Sequence, residues 1–185
     1  LCDVHAAVFK GSIKEIHRLI KPEDTPGHPV HTFKLENKEL EKLVNERIKQ
    51  HIHNFRNTGS RENANALIDD FRALQEIDKH YSRKENLLFP LLEKYGITAP
   101  PKVMWGVDDE IRATIKEALR LLSDYSSRDK AIEKATEVAN KVIEMIYKEE
   151  NILFPMALET LSEDEWAKIE EASGEVGYCF IEPKE

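Results

Sequence analysis

Apolar residues recur at helical spacing along nearly the whole chain, and the points where the spacing fails mark the connections. From about His31 to Phe55, the residues Phe33, Asn37, Leu40, Val44 and Ile48 fall on one face and predict a long amphipathic helix. Asn57-Thr58-Gly59-Ser60 interrupts the pattern. It resumes from about Glu62 to Tyr95 with Leu67, Phe71, Leu74, Ile77 and Leu88, and Gly96 closes it. Pro100-Pro101 suits the first turn of a third helix, from about Lys102 to Ser123, with Met104, Asp108, Ile111, Ile115 and Leu122 inward. A polar turn, Asp124 to Asp129, leads to a fourth from about Lys130 to Leu161, with Val138, Val142, Met145 and Ile152 inward. Four such helices with short connections predict an all-α fold, an antiparallel up-down four-helix bundle. The prolines inside the second and fourth helices should kink them, because each removes a backbone donor and crowds the preceding turn.

Shorter elements flank this core. Val4, Val8, Ile13, Ile16, Leu19 and Ile20 outline an N-terminal helix with a defect at Gly11, ended by Pro22 and a proline-rich stretch over 22–30. Ser162 and Glu165 form a capping box for a last helix ending near Gly174. The expected division is a helix and linker over 1–27, the bundle with its short C-terminal helix over 28–176, and a linker over 177–185. Because Leu1 opens within helical pattern and without an initiator Met, the chain reads as a piece of a longer protein.

One stretch occurs twice. His80-Tyr81-Ser82-Arg83-Lys84-Glu85-Asn86-Leu87-Leu88-Phe89-Pro90 is echoed by Met145-Ile146-Tyr147-Lys148-Glu149-Glu150-Asn151-Ile152-Leu153-Phe154-Pro155, superimposing Glu85 on Glu150 and Leu88-Phe89-Pro90 on Leu153-Phe154-Pro155. Such an echo marks two equivalent helices of one bundle. Each copy sets charged residues one turn before an apolar run.

Composition narrows the function classes. With 185 residues, 41% hydrophobic and 34% charged, the chain is long enough to bury a core and is not compositionally disordered. A net charge of −8 with no basic cluster argues against nucleic acid, and no apolar run is long enough for a membrane span. Cys2 and Cys179 lie at opposite ends, so neither a disulfide framework nor a structural zinc site is expected, and a cytoplasmic setting is the default. No Ser/His/Asp arrangement, phosphate loop or nucleophilic cysteine pattern appears, and no catalytic residue is assigned.

The helical faces place Asn37, His80 with Lys84, Asp108, and Met145 with Glu149 at one level among apolar positions. This is how helix bundles build carboxylate and histidine metal sites. Over about residues 28–175 the pattern resembles the hemerythrin family in its HHE cation-binding branch. The resemblance rests on Leu35-Glu36-Asn37-Lys38-Glu39-Leu40, Trp105-Gly106-Val107-Asp108-Asp109-Glu110-Ile111-Arg112 and the two Leu-Phe-Pro copies. The wording His28-Pro29-Val30-His31-Thr32-Phe33-Lys34 and Gly177-Tyr178-Cys179-Phe180-Ile181-Glu182-Pro183 also resembles a subgroup in which the bundle precedes a PAS-type sensor domain.

The family's ligand set is altered at most positions. The resemblance implies histidine where Asn37, Asp108 and Met145 stand, and a carboxylate where Lys84 stands; His80 and Glu149 match. An ammonium cannot ligate iron. Two readings follow. In the first, no cofactor is expected: Lys84 and a protonated His80 neutralise Asp108 and Glu149, and the bundle binds a small ligand or signals to an attached PAS-type domain. In the second, iron or another divalent metal is held by His80, Glu85, Asp108 and Glu149, with His31 or Glu36 as further candidates, to sense or carry oxygen, nitric oxide or iron.

Plainer readings stand beside these. With its partner carboxylate replaced, His80 reads first as a core histidine bonded to Asp108 or Glu149 and only second as a ligand. Glu85 and Glu150 precede apolar runs, where charged residues are usually solvated. His28 with His31 in a proline-rich turn is a weak metal signal. His51 and His53 read as surface residues, and Met104, Trp105 and Met145 read as core that could also wall a small pocket.

Overall fold

A computed structural model describes residues 21–183; the expected helix over 4–20, with Cys2, lies outside them. The described residues form helices and turns without a strand. After a short 3-10 turn at Pro22–Asp24, helix α1 runs without interruption through Pro29–Lys42, a π-helical stretch Leu43–Ile48, and Lys49–Asn57. His28 caps it, its Nδ1 accepting the Val30 N–H at 3.1 Å, and Pro29 fills the first position, where no donor is needed. Helix α2 (Arg61–Leu74) starts at Ser60, whose hydroxyl accepts the Asn63 N–H, a cap typically worth about 1 kcal/mol.

The helix expected over 62–95 is divided. Between Leu74 and Ile77, the amides of Glu76, Asp78 and Lys79 bond three residues back rather than four. This tightened turn puts Leu74 and Ile77 both in the core. Helix α3 then runs through Ile77–Arg83, a π stretch Lys84–Leu88 and Phe89–Lys94. Gly96, at φ +81°, ends it: its N–H bonds Glu93 and that of Ile97 bonds Leu92, the paired closure that favours glycine in the left-handed region.

Helix α4 (Ala99–Asp124) follows, then α5 through Arg128–Lys148, a π stretch Glu149–Leu153 and Phe154–Thr160. The last helix, α6 (Glu163–Val176), carries the expected Ser162–Glu165 capping box.

The strain expected at each internal proline takes a definite form. Pro90 and Pro155 each follow a π stretch in which the residue before proline, Phe89 or Phe154, donates its N–H five residues back, to Lys84 or Glu149. Widening the turn accommodates the ring and the missing donor. The two π stretches begin at Lys84 and Glu149 themselves, so the repeated motif sets the orientation of the charged side chains as well as the bend.

Helices α1 and α2 pack together, α2 on α4, α4 on α5 and α5 back on α1, enclosing one core. Val30, Phe33, Val44, Ile48, Leu67, Phe71, Ile111, Val142, Leu153 and Phe154 are fully buried there. Burial of each larger side chain contributes about 1.5–3 kcal/mol. Helix α6 lies across α3 and α1. Ile152, expected inward, is 52% exposed, because the π stretch turns that part of the helix outward.

The segment expected as a linker from Gly177 onward begins docked rather than free. Cys179 is completely buried, and the Tyr178 ring lies 4.6 Å from the Arg83 guanidinium.

Candidate functional site

At the level of the two π stretches the core is charged. Glu36 and Asn37 from α1, His80, Arg83 and Lys84 from α3, Asp108 from α4 and Glu149 from α5 are all essentially without solvent exposure. Lys84 sits between two carboxylates, its Nζ donating to Asp108 Oδ1 at 2.9 Å and Glu149 Oε2 at 2.8 Å. His80 bridges two more, with Nε2 2.8 Å from Glu149 Oε1 and Nδ1 3.1 Å from Glu36 Oε1. Asn37 Nδ2 donates to Glu149 Oε1 at 3.1 Å. Glu36 also accepts Arg83 Nη1 at 2.7 Å on both oxygens, and the backbone N–H of Cys179 at 2.6 Å.

The charge states follow from these contacts. Burial opposes a charge on His80, but the Glu149 and Glu36 carboxylates overcome it and hold the imidazole up at about 9. Burial likewise disfavours the Glu149 carboxylate, yet His80 and Lys84 bring it down to about 2. Glu36 is lowered in the same way by His80 and Arg83. Lys84, despite burial, is raised by Glu149 and Asp108. Asp108 goes the other way: burial, only partly offset by Lys84, and a contact with Glu85 push it up to about 8. Its Oδ2 has no donor among the described residues, so Lys84 is the one group that offsets its charge through a hydrogen bond.

Glu85 is buried, not solvated as its sequence context suggests. Arg112 holds it bidentately, Nη1 and Nη2 each at 2.8 Å, and extends to Asp78 through Nε at 2.7 Å. Glu150, at the equivalent position of the repeat, is half-buried, and burial raises its pKa.

The structure thus joins Asn37, His80, Lys84, Asp108 and Glu149, with Met145 buried in the same core. It leaves the weaker candidates apart. His31 Nδ1 pairs with the Glu23 carbonyl, and His28 caps α1 with its ring 4.8 Å from that of Trp166. His53 is exposed and bonds Asn57, whereas His51 shares the buried carboxylate of Asp70 with Arg47, an arrangement the sequence reading missed. Arg83 and the Cys179 amide were also missed. Arg83 carried a signal, lying three residues after His80 and therefore on its face; the Cys179 contact, 143 positions from Glu36, carried none.

An all-helical domain with a charged layer across its core is the class these observations define. Residues 28–157 match the hemerythrin HHE cation binding domain, and the chain belongs to that family. No curated protein sequence matches the chain.

The metal that the family implies does not fit this donor set. A ligating histidine must be neutral with a free lone pair, whereas both nitrogens of the protonated His80 face carboxylates. The Lys84 ammonium stands between Asp108 and Glu149, where a cation would have to lie. Among the described residues no group of three or more His, Cys, Asp or Glu side chains is arranged to hold a metal ion, and no helix is long and apolar enough to cross a membrane.

Proposed function

We propose that this chain is a regulatory hemerythrin-family bundle, four helices alternating up and down, in which an ion-paired layer replaces the di-iron centre. The layer is coupled through the C-terminal segment to an attached PAS-type sensor domain in the cytoplasm. The observation that carries this reading is Glu36: one buried carboxylate binds His80 through Oε1, Arg83 through both oxygens and, through Oε2, the Cys179 amide of the C-terminal segment. A change in the protonation or packing of the layer therefore acts directly on the chain that would continue into the next domain. Removing a partner from such a network leaves a buried charge uncompensated and favours rearrangement.

A cation-binding reading is favoured by the family itself. It would require His80 to lose its proton, Lys84 to swing away and Arg112 to release Glu85, freeing His80, Glu85, Asp108 and Glu149.

Coupling is tested by amide exchange. In Lys84→Met, altered at a residue that does not touch the segment, exchange at 178–180 should accelerate at least tenfold more than at core amides of α4. Equal acceleration in both places would reduce the effect to general destabilisation and remove the support for transmission.

A further inference from the structure

Arg83 is fully buried, yet only one of its nitrogens is used. Both bonds to Glu36 come from Nη1, and among the described residues Nε has no hydrogen-bond partner. The guanidinium is held between the Phe33 and Tyr178 rings, each 4.6 Å away, so its plane is fixed while its Nε/Nη2 edge is uncommitted. An arginine serving only to neutralise Glu36 would gain more from two parallel bonds through two nitrogens. Glu36 does not need them, since His80 and the Cys179 amide already satisfy it.

Arg83 also lines a cleft of about 370 Å³ between the first turn of α1, helix α6 and the C-terminal segment. Pro29, Thr32 and Tyr178 wall it, and the exposed Glu170 and Glu182 stand at its rim. The charge pattern is divided: one fixed guanidinium inside, two carboxylates outside. A phosphate, carrying up to two negative charges, would meet Glu170 and Glu182 with only Arg83, already paired with Glu36, to offset it. A simple amine would meet Arg83.

We propose that this cleft binds a small zwitterion of the amino-acid class. Its carboxylate lies along the Nε/Nη2 edge of Arg83 and its ammonium turns toward Glu170 and Glu182. The ligand meets Arg83 where the guanidinium lines the cleft, and a bond made to so buried a group is shielded from solvent and correspondingly strong. Because Tyr178 adjoins the Cys179 amide, occupancy bears on the same segment as the charged layer. The inference rests on the regulatory reading for the consequence of binding, and on the cleft alone for binding itself. Calorimetry tests the second, and amide exchange at 178–180 the first.

The experiment is a thermal-shift screen of the twenty amino acids on the purified chain, followed by titration calorimetry of the best against its deaminated acid, its decarboxylated amine and inorganic phosphate. At least one amino acid should bind, and the three comparison probes should bind at least tenfold more weakly. Arg83→Lys, which keeps the charge against Glu36 but loses the planar edge, should abolish binding. Should that variant fold poorly, the doubly substituted Glu170→Gln/Glu182→Gln, altered only at exposed positions, should bring the amino acid's affinity down to that of its deaminated acid. No binding by any amino acid, equal binding of phosphate, or full affinity in either variant would overturn the proposal.

Discussion

Lys84→Met removes the cation on which two buried carboxylates converge. Its Nζ lies within 2.9 Å of Asp108 and 2.8 Å of Glu149, and all three side chains have at most 1% exposure. Breaking a buried pair from one side costs about 3–5 kcal/mol, because the remaining charge keeps its desolvation penalty. Two features of the layer place this case near the lower limit. Asp108, already held up at about 8, takes up a proton once the ammonium is gone, while Glu149 retains His80 and Asn37. We therefore expect a loss of about 3 kcal/mol at pH 7, which for a domain of this size lowers Tm by about 6–12 °C. Calorimetric melting at pH 7 and pH 5 checks it. The deficit should shrink at pH 5, since loss of the ammonium raises the Glu149 carboxyl toward the range where it too protonates. A variant that melts within 1 °C of the wild type at pH 7, or that is more stable, would refute the claim that Lys84 holds the layer together.

Further outcomes follow from the same contacts. Wild-type stability should be greatest on the acid side of neutrality: His80, raised from 6.5 to about 9, contributes fully below about 6.5 and its share is lost as pH rises through about 9. Asp108, raised from 3.8 to about 8, adds a decline that sets in above about pH 3.8 and is complete near 8, and Glu149, lowered from 4.5 to about 2, sets the acid limit by losing its share as pH falls through about 2; a Tm that is flat from pH 6 to 9 would contradict this. Arg112→Met strands the buried Glu85 beside Asp108 and should cost about 2 kcal/mol in urea unfolding at pH 7. Truncation after Gly177 removes the Cys179 amide from Glu36 and the Tyr178 ring from Arg83, and should cost about 2–3 kcal/mol by the same assay, whereas removing only 181–185 should cost under 1 kcal/mol.

The helices were legible because each carries its own punctuation: the Ser162 capping box, Gly96 after α3, and Pro100-Pro101 at the start of α4. So was the level at which polar residues meet, since Asn37, His80, Asp108 and Glu149 recur in phase with buried apolar neighbours. What escaped were departures from regular 3.6-residue phase. The tightened turn after Leu74 and the π stretches after Arg83 and Lys148 each shift the helical face. The shift after Lys148 exposes Ile152; Arg83 and Glu85 flank the start of the other π stretch and both prove buried. A charged residue before an apolar run looks solvated unless its partner is known, and Arg112 lies 27 positions from Glu85. The docking of Cys179 was hidden for another reason: a backbone amide leaves no mark in a side-chain pattern.

The central claim, that this layer balances its charge without a metal, is tested most directly by elemental analysis of the chain purified without chelator and then exposed to ferrous, manganous and zinc ions. The account predicts far less than one ion per chain after desalting, and a Tm unmoved by any of the three. Stoichiometric retention of metal, lost in His80→Ala, would contradict it and assign His80, Glu85, Asp108 and Glu149 to a cation site.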